Sequence, residues 1–425
     1  MKPCWSALNS KLPSSKQVIR TAFSSLLVLL VSGASQAYYE ARPVIRMSEV
    51  LTSQQAQSVY HRVEDIELDG KFYRFRVHSE MGNYTITSLA LFRKRVQEIL
   101  TLSQAVNQFE RENVQLSEEI TGQFSIRANS AMDIISRPVE SAANLAGQVA
   151  NNLNESLSRP ARKSAGSERF SYITQELQDP VAAMHKRNIA SQWGLDVYST
   201  NLNVQQFLNS VTRARSSGKI SAGTPSLQSQ LNRPTKLADI EIETHTAYLL
   251  KSKGVSELQE INRAVLLGMK IKQGIVEAFL SNPAFSPRHK TRITHYVDAL
   301  QGVRNRSAFI EAAAGIQSMT MAMAFEEVAM MLKYYHKKIG GLEKLIAGDE
   351  VLEAITSEGR MLYFVPVDMI YWSEETESLF DSLRERAQQS GFASWELITA
   401  GQVTEEASKE LKKRNFVLRD QFVNR

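Results

Sequence analysis

The run from Arg304 to Lys338, RNRSAFIEAAAGIQSMTMAMAFEEVAMMLKYYHKK, constrains the chain more than any other stretch. Its middle has few polar interruptions, and a helix that is apolar nearly all round is a buried one. Read as one helix it spans roughly 45 Å, longer than a small domain is wide. It does not fit a membrane span, because Glu311, Glu326 and Glu327 would sit at bilayer depth. We therefore expect it to be the central helix on which the rest packs. Met319, Met321, Met323, Met330 and Met331 are spread around it and read as core filling rather than as a binding groove.

The N-terminus reads as a secretory signal. Lys2, Lys11, Lys16 and Arg20 form a basic region, and Thr21 to Val31 is an apolar run too short to span a bilayer. GASQA follows, with small residues Ser35 and Ala37 where signal peptidase reads, so cleavage is expected after Ala37. The leader holds four Lys/Arg and no Asp/Glu, which leaves 46 basic against 45 acidic residues in the mature chain. A near-neutral balance gives no support to a general nucleic-acid surface. The single cysteine, Cys4, also lies in the leader. The mature chain then has no disulfide, thiol nucleophile or thiolate metal site, and its stability rests on its core.

With 425 residues the chain has room for two or three domains. We expect a signal peptide over 1–37 and an antiparallel β-meander with a long helix over 38–125. An amphipathic helix and linker would occupy 126–168, a helical domain 169–346 and a small α/β section 347–425. The fold class is α+β, predominantly helical. Within it, Asp69-Gly70 supplies a tight turn between VEDIEL and KFYRFRVHS, and Gly82-Asn83 reads as a second turn before YTITS. Leu89 to about Ile120 reads as a helix with Phe92, Val96, Ile99, Val106 and Phe109 on one stripe, covering the sheet and continuing as an arm. Residues 131–157 are amphipathic, with Asn, Ser, Gln and Gly opposite the apolar face. That chemistry suits a partner helix better than a membrane surface, which usually wants Lys/Arg.

Local signals place further helices. Asn203 is expected to cap Val204–Thr212, Ser256 and Gln259 to form a capping box, and Ser286-Pro287 to open a helix. Gly340-Gly341 ends the central run. Met361–Trp372, SWELITA and Asn415–Arg419 read as strands, separated by helices capped by Ser373 and Thr404. This β-α-β-α-β order predicts a small parallel or mixed sheet.

Four segments carry a resemblance: LDVYSTN (195–201), RPVESAANLAG (137–147), YFVPVDMIYW (363–372) and SWELITAGQVTEEA (394–407). Together they resemble a group of exported bacterial proteins of unknown function. The resemblance implies export and a bacterial source and brings no site residues.

The chemistry-bearing residues are sparse. The seven histidines show no HExxH or HxH spacing, so no metal site and no cofactor is expected. There is no G-x-S-x-G elbow and no phosphate-binding glycine loop. Glu374-Glu375 and Glu405-Glu406 occupy the helix N-termini where a phosphate would sit. The catalytic candidates that remain are Glu326 and Glu327, in the most buried helix, and Asp368, in an apolar strand. For the glutamates the plainer reading is that one pairs with Arg or Lys and the other reaches solvent. Asp368 more often caps a neighbouring loop. Asp196, Tyr198 and Asn201 mark LDVYSTN as a ligand or partner loop, against a structural reading as a hydrogen-bonded turn.

The expectation is an exported periplasmic or cell-envelope protein that works by protein–protein contact, without a catalytic signature. The alternative is a periplasmic hydrolase or small-ligand binder, with a pocket between the helical domain and the C-terminal section. Membrane-surface contact through 131–157 is a weaker third reading, and a nucleic-acid partner is not expected.

Overall fold

Alternation sets the N-terminal sheet. The computed structural model describes residues 39–112, 179–219, 236–348 and 351–422. After two one-turn helices, α1 (Met47–Val50) and α2 (Ser53–Ala56), come β1 (His61–Asp69), β2 (Phe72–Ser79) and β3 (Gly82–Thr87). They form an antiparallel meander. The first turn falls at Gly70-Lys71, one residue after the expected Asp69-Gly70, because Asp69 already pairs with Phe72; Gly70 takes φ +61°, the left-handed geometry of a tight turn. Tyr73, Phe75 and Val77 are buried, while Arg74 and Arg76 pair with Asp69 and Asp65 on the other face. The second turn falls at Glu80-Met81, two residues before the expected Gly82-Asn83, because Gly82 already pairs with Ser79.

α3 (Leu89–Glu112) covers this sheet. Phe92 stacks on Phe75 at 4.1 Å, and Val96 and Ile99 complete the expected stripe. Each such fully buried side chain contributes about 1.5–3 kcal/mol. The far half of α3 is not a free arm. Leu102, Ala105, Val106 and Phe109 are buried against α4 (Pro180–Trp193) and α5 (Leu202–Ser216), with Phe207 edge-on to both Phe109 and Trp193. The expected helix beyond Glu112, the amphipathic stretch 131–157 and the linker 158–168 lie outside the described residues.

The helical region continues with α6 (Ile240–Ser252), α7 (Val255–Gly268), α8 (Gln273–Ser281), α9 (Pro287–Asp298), α10 (Ser307–Ala314) and α11 (Met319–Lys338). Ser286 caps α9 with Pro287 at its first position, as expected. Two other caps differ. α5 begins at Leu202 and is capped by Asn201, not Asn203. α7 begins at Val255, where the Glu257 carboxylate accepts from the Gly254 N–H at 3.0 Å, so Ser256 and Gln259 form no capping box.

The central run is two helices, not one. Gly315 ends α10, and the Ser318 hydroxyl accepts from Met321 N–H to open α11. The break is held from a distance. Asn282, just after α8, donates to the carbonyls of Ala314 at 3.0 Å and Ile316 at 2.8 Å. Carbonyls left without helical partners are thereby satisfied. Most of α11 is still buried, as its composition requires.

The C-terminal sheet has the order β10-β8-β6-β5-β4. Its strands are β4 (Leu342–Ala347), β5 (Leu352–Thr356), β6 (Met361–Val365), β8 (Trp395–Thr399) and β10 (Phe416–Arg419). β6, β8 and β10 are parallel, linked by α12 (Glu374–Gln389) and α13 (Glu405–Lys413), and this is the expected β-α-β-α-β unit. Ser373 and Thr404 cap those helices. The reading of the sequence left out β4 and β5, which add antiparallel. Met361–Trp372 is not one strand. β6 stops before Pro366, which has no N–H for a ladder, and β7 (Met369–Ile370) pairs instead with β9 (Gln402–Val403). The described residues from Glu40 onward belong to one compact unit, an α+β fold dominated by helix.

Candidate functional site

α9 carries PRHKTRITHYVD, a strongly charged sequence, yet most of it is buried. Arg288, Arg292 and Tyr296 recur every four residues and so share one face. That face meets α11, α6 and the loop 195–201. Arg292 bonds to Glu326 of α11 and to Glu243 of α6, and Tyr296 donates to Glu243 at 2.6 Å. Arg288 lies 3.5 Å from Glu326 and 3.8 Å from Asp196. Lys94 of α3 donates to Asp196 at 2.8 Å. The cations Lys94, Arg288 and Arg292 thus face the anions Asp196, Glu243 and Glu326.

Burial would raise the Glu326 carboxyl, but Arg292 and Arg288 outweigh it and hold it down at about 2. Asp196 is half-buried; desolvation opposes its charge, but Lys94 and Arg288 keep it well below the usual carboxylate range. His289, next to Arg288, is buried and neutral, its imidazole pushed down to about 3 by burial. Its Nε2 lies 3.1 Å from Met323 Sδ and 3.7 Å from Glu326 Oε2.

Glu327 is half-buried and in a different field. Burial pushes it up to about 7; Arg93 pulls the other way, and the negative charges of Asp368 and Glu326 add to the rise. Asp368 is buried and raised to about 6 by that burial. It sits in the loop after β6, not within a strand, and its Oδ2 accepts from Tyr73 N–H at 2.9 Å and Leu89 N–H at 2.8 Å. One carboxylate therefore ties the meander and the first turn of α3 to the C-terminal section. Its loop is fixed from behind by Gly401, where a Cβ would stand 2.2 Å from the Asp368 carbonyl oxygen.

The loop 195–201 is knotted by its own polar groups. Asp196 Oδ1 accepts from Tyr198 N–H at 2.9 Å, and Asn201 accepts from Asn203 N–H. Ser199 donates to Glu98 at 2.6 Å, and Glu98 also holds Arg95 at 2.6 Å. Gln205 donates to the carbonyls of Val197 and Ser199. The Tyr198 ring is buried with Leu249, Val255 and Leu258.

The structure thus joins Asp196 to Glu326 through Arg288, and sets Glu327 beside Asp368 and Arg93. It puts Tyr198 and Asn201 in turn and core work. Inspection of the sequence missed Arg288, Arg292, Lys94, Glu243 and His289. The four-residue recurrence of Arg288, Arg292 and Tyr296 was the signal available for part of the cluster. Among the described residues no three His, Cys, Asp or Glu side chains are grouped so as to hold a metal ion, and no helix is long and apolar enough to cross a membrane. Comparison with protein-family models, with curated proteins and with solved structures found no match.

Proposed function

We propose that this chain is an exported protein of the bacterial periplasm or cell envelope that works by holding a protein partner. The observation that carries the reading is the use to which the candidate catalytic groups are put. Asp196 and Glu326 are neutralised by cations, Asp368 holds two backbone N–H groups, and Asn201 caps a helix. Groups spent on structure are poorly placed for turnover.

A partner surface is suggested by the outer faces of α4 and α6, two helices that pack together. Val181 is 61% exposed, Met184 46%, Ile240 72% and Tyr248 62%. Exposed large apolar side chains on two helices that pack together offer a contact surface to a partner.

The test is cross-linking in the native host from Val181 and Tyr248, beside fractionation and N-terminal sequencing. The reading expects a mature N-terminus at Tyr38 and one specific cross-linked partner. Glu at both positions should abolish the cross-link without lowering the melting temperature. A mature chain that stays monomeric and retains no partner from envelope extracts would reject it.

A second reading, a small-ligand binder or hydrolase, is favoured by Glu327 alone. A half-buried carboxyl near 7, beside a second raised acid, is poised to give and take protons at neutral pH. Glu327→Gln would then remove the ligand response while leaving the cross-link intact.

A further inference from the structure

We propose that His289, Met323 and Met319 form a binding site for one soft monovalent cation, copper(I) or silver(I), beside the unbonded Oε2 of Glu326. The site is independent of the partner-binding reading. Met319 and Met323 are four residues apart on α11 and share a face, against the meander and α3. His289 reaches that face from α9, its Nε2 3.1 Å from Met323 Sδ. Glu326 Oε2 is buried without a hydrogen-bond partner, 3.7 Å from the same nitrogen, while Oε1 takes Arg292 and Arg288. A nitrogen, a thioether and an unbonded carboxylate oxygen are therefore buried close together.

The donor set chooses the ion. Thioethers are soft ligands that select copper(I) over magnesium, calcium or manganese, and imidazole suits copper as well. The charges choose the valence. Lys94, Arg288 and Arg292 stand close by, facing Asp196, Glu243 and Glu326 as three cations against three anions, so one added positive charge is opposed less than two. There is also a way in. Thr200 is exposed and its hydroxyl is 3.2 Å from Met319 Sδ, Met319 is half-buried, and Met323 and His289 lie deeper.

Binding needs no electron transfer. His289 Nδ1 now accepts from Ser286 N–H at 3.3 Å, which leaves the ring proton on Nε2. Coordination through Nε2 moves that proton to Nδ1 and gives up this long bond. Met319 gives up the Thr200 hydroxyl, which turns to water.

The mature chain would be titrated anaerobically with silver(I) and with copper(I) against a chromophoric chelator, while methionine methyl signals are followed by NMR. One equivalent should bind and shift the Met319 and Met323 methyls together. Met323→Leu, a swap that conserves volume, should weaken binding by an order of magnitude or more. Met319→Leu, at the half-buried position, should do the same if the first variant fails to fold. Met321→Leu, whose side chain packs in the other core, should change nothing. Absence of binding, affinity unchanged in both Met319→Leu and Met323→Leu, or equal binding of zinc(II) would overturn the proposal.

Discussion

Glu326 and Glu327 are adjacent in the chain and about 100° apart around α11. One looks toward α9 and meets guanidinium groups. The other faces α3 and the loop after β6, where a second carboxyl waits. The first is held ionised, the second is held close to neutral pH. The residue type is the same, so the difference lies wholly in what packs on each side. Their effects on stability run in opposite directions. Glu326 has a depressed folded-state value, so its contribution is present above about 4.5 and is lost as pH falls toward about 2. Glu327 has a raised one, so its contribution is full below about 4.5 and is lost as pH rises through about 7.

The comparison can be broken most forcefully at Glu326. Glu326→Ala strips Arg292 of one of its carboxylates inside the protein, and a loss of about 3–5 kcal/mol in urea unfolding at pH 7.5 is expected. A loss under about 1 kcal/mol would mean that the cluster is wet and its pairing weak. Glu327→Gln should act the other way. At pH 8 it removes the cost of ionising a half-buried acid and stabilises by up to about 3 kcal/mol, with less than about 1 kcal/mol left at pH 5. Equal effects at the two pH values would show that Glu327 titrates normally.

Asp368 sharpens the contrast. Asp368→Ala leaves the Tyr73 and Leu89 N–H groups without their acceptor and should cost about 2–3 kcal/mol. Asp368→Asn keeps an acceptor oxygen and should cost less. By removing a negative neighbour it should also lower the apparent pKa of Glu327, read by carboxyl NMR. The smallest effect is expected in the loop. Asn201→Ala removes the cap of α5, for about 1 kcal/mol, and should leave partner cross-linking unchanged. Loss of the cross-link in a folded Asn201→Ala would restore LDVYSTN as a recognition loop.

Much of the fold was legible. The alternation of Tyr73, Phe75 and Val77, the stripe of Phe92, Val96 and Ile99, and the caps Ser286, Ser373 and Thr404 each depend on residues within a few positions of one another. β4 and β5 were not read, because LEKLIA and LEAIT are short and follow a strong helix whose end blurs the change of period. Of the candidate site, Glu326, Glu327, Asp368 and Asp196 were visible as carboxylates in apolar or turn surroundings. Their partners were not, since Arg292 stands 34 residues from Glu326, and Asp368 stands 295 from Tyr73.

The sequence by itself determined the alternation of β2, the apolar stripe of α3, the caps at Ser286, Ser373 and Thr404, and that the chain carries no motif for common catalysis. Period, capping and turn geometry are short-range and are written in consecutive residues. The tertiary structure alone decided that the central run breaks where Asn282 takes its carbonyls, that the far half of α3 is covered, and which glutamate is charged. Those outcomes depend on groups brought together from distant positions, and burial makes the partner each finds there decisive.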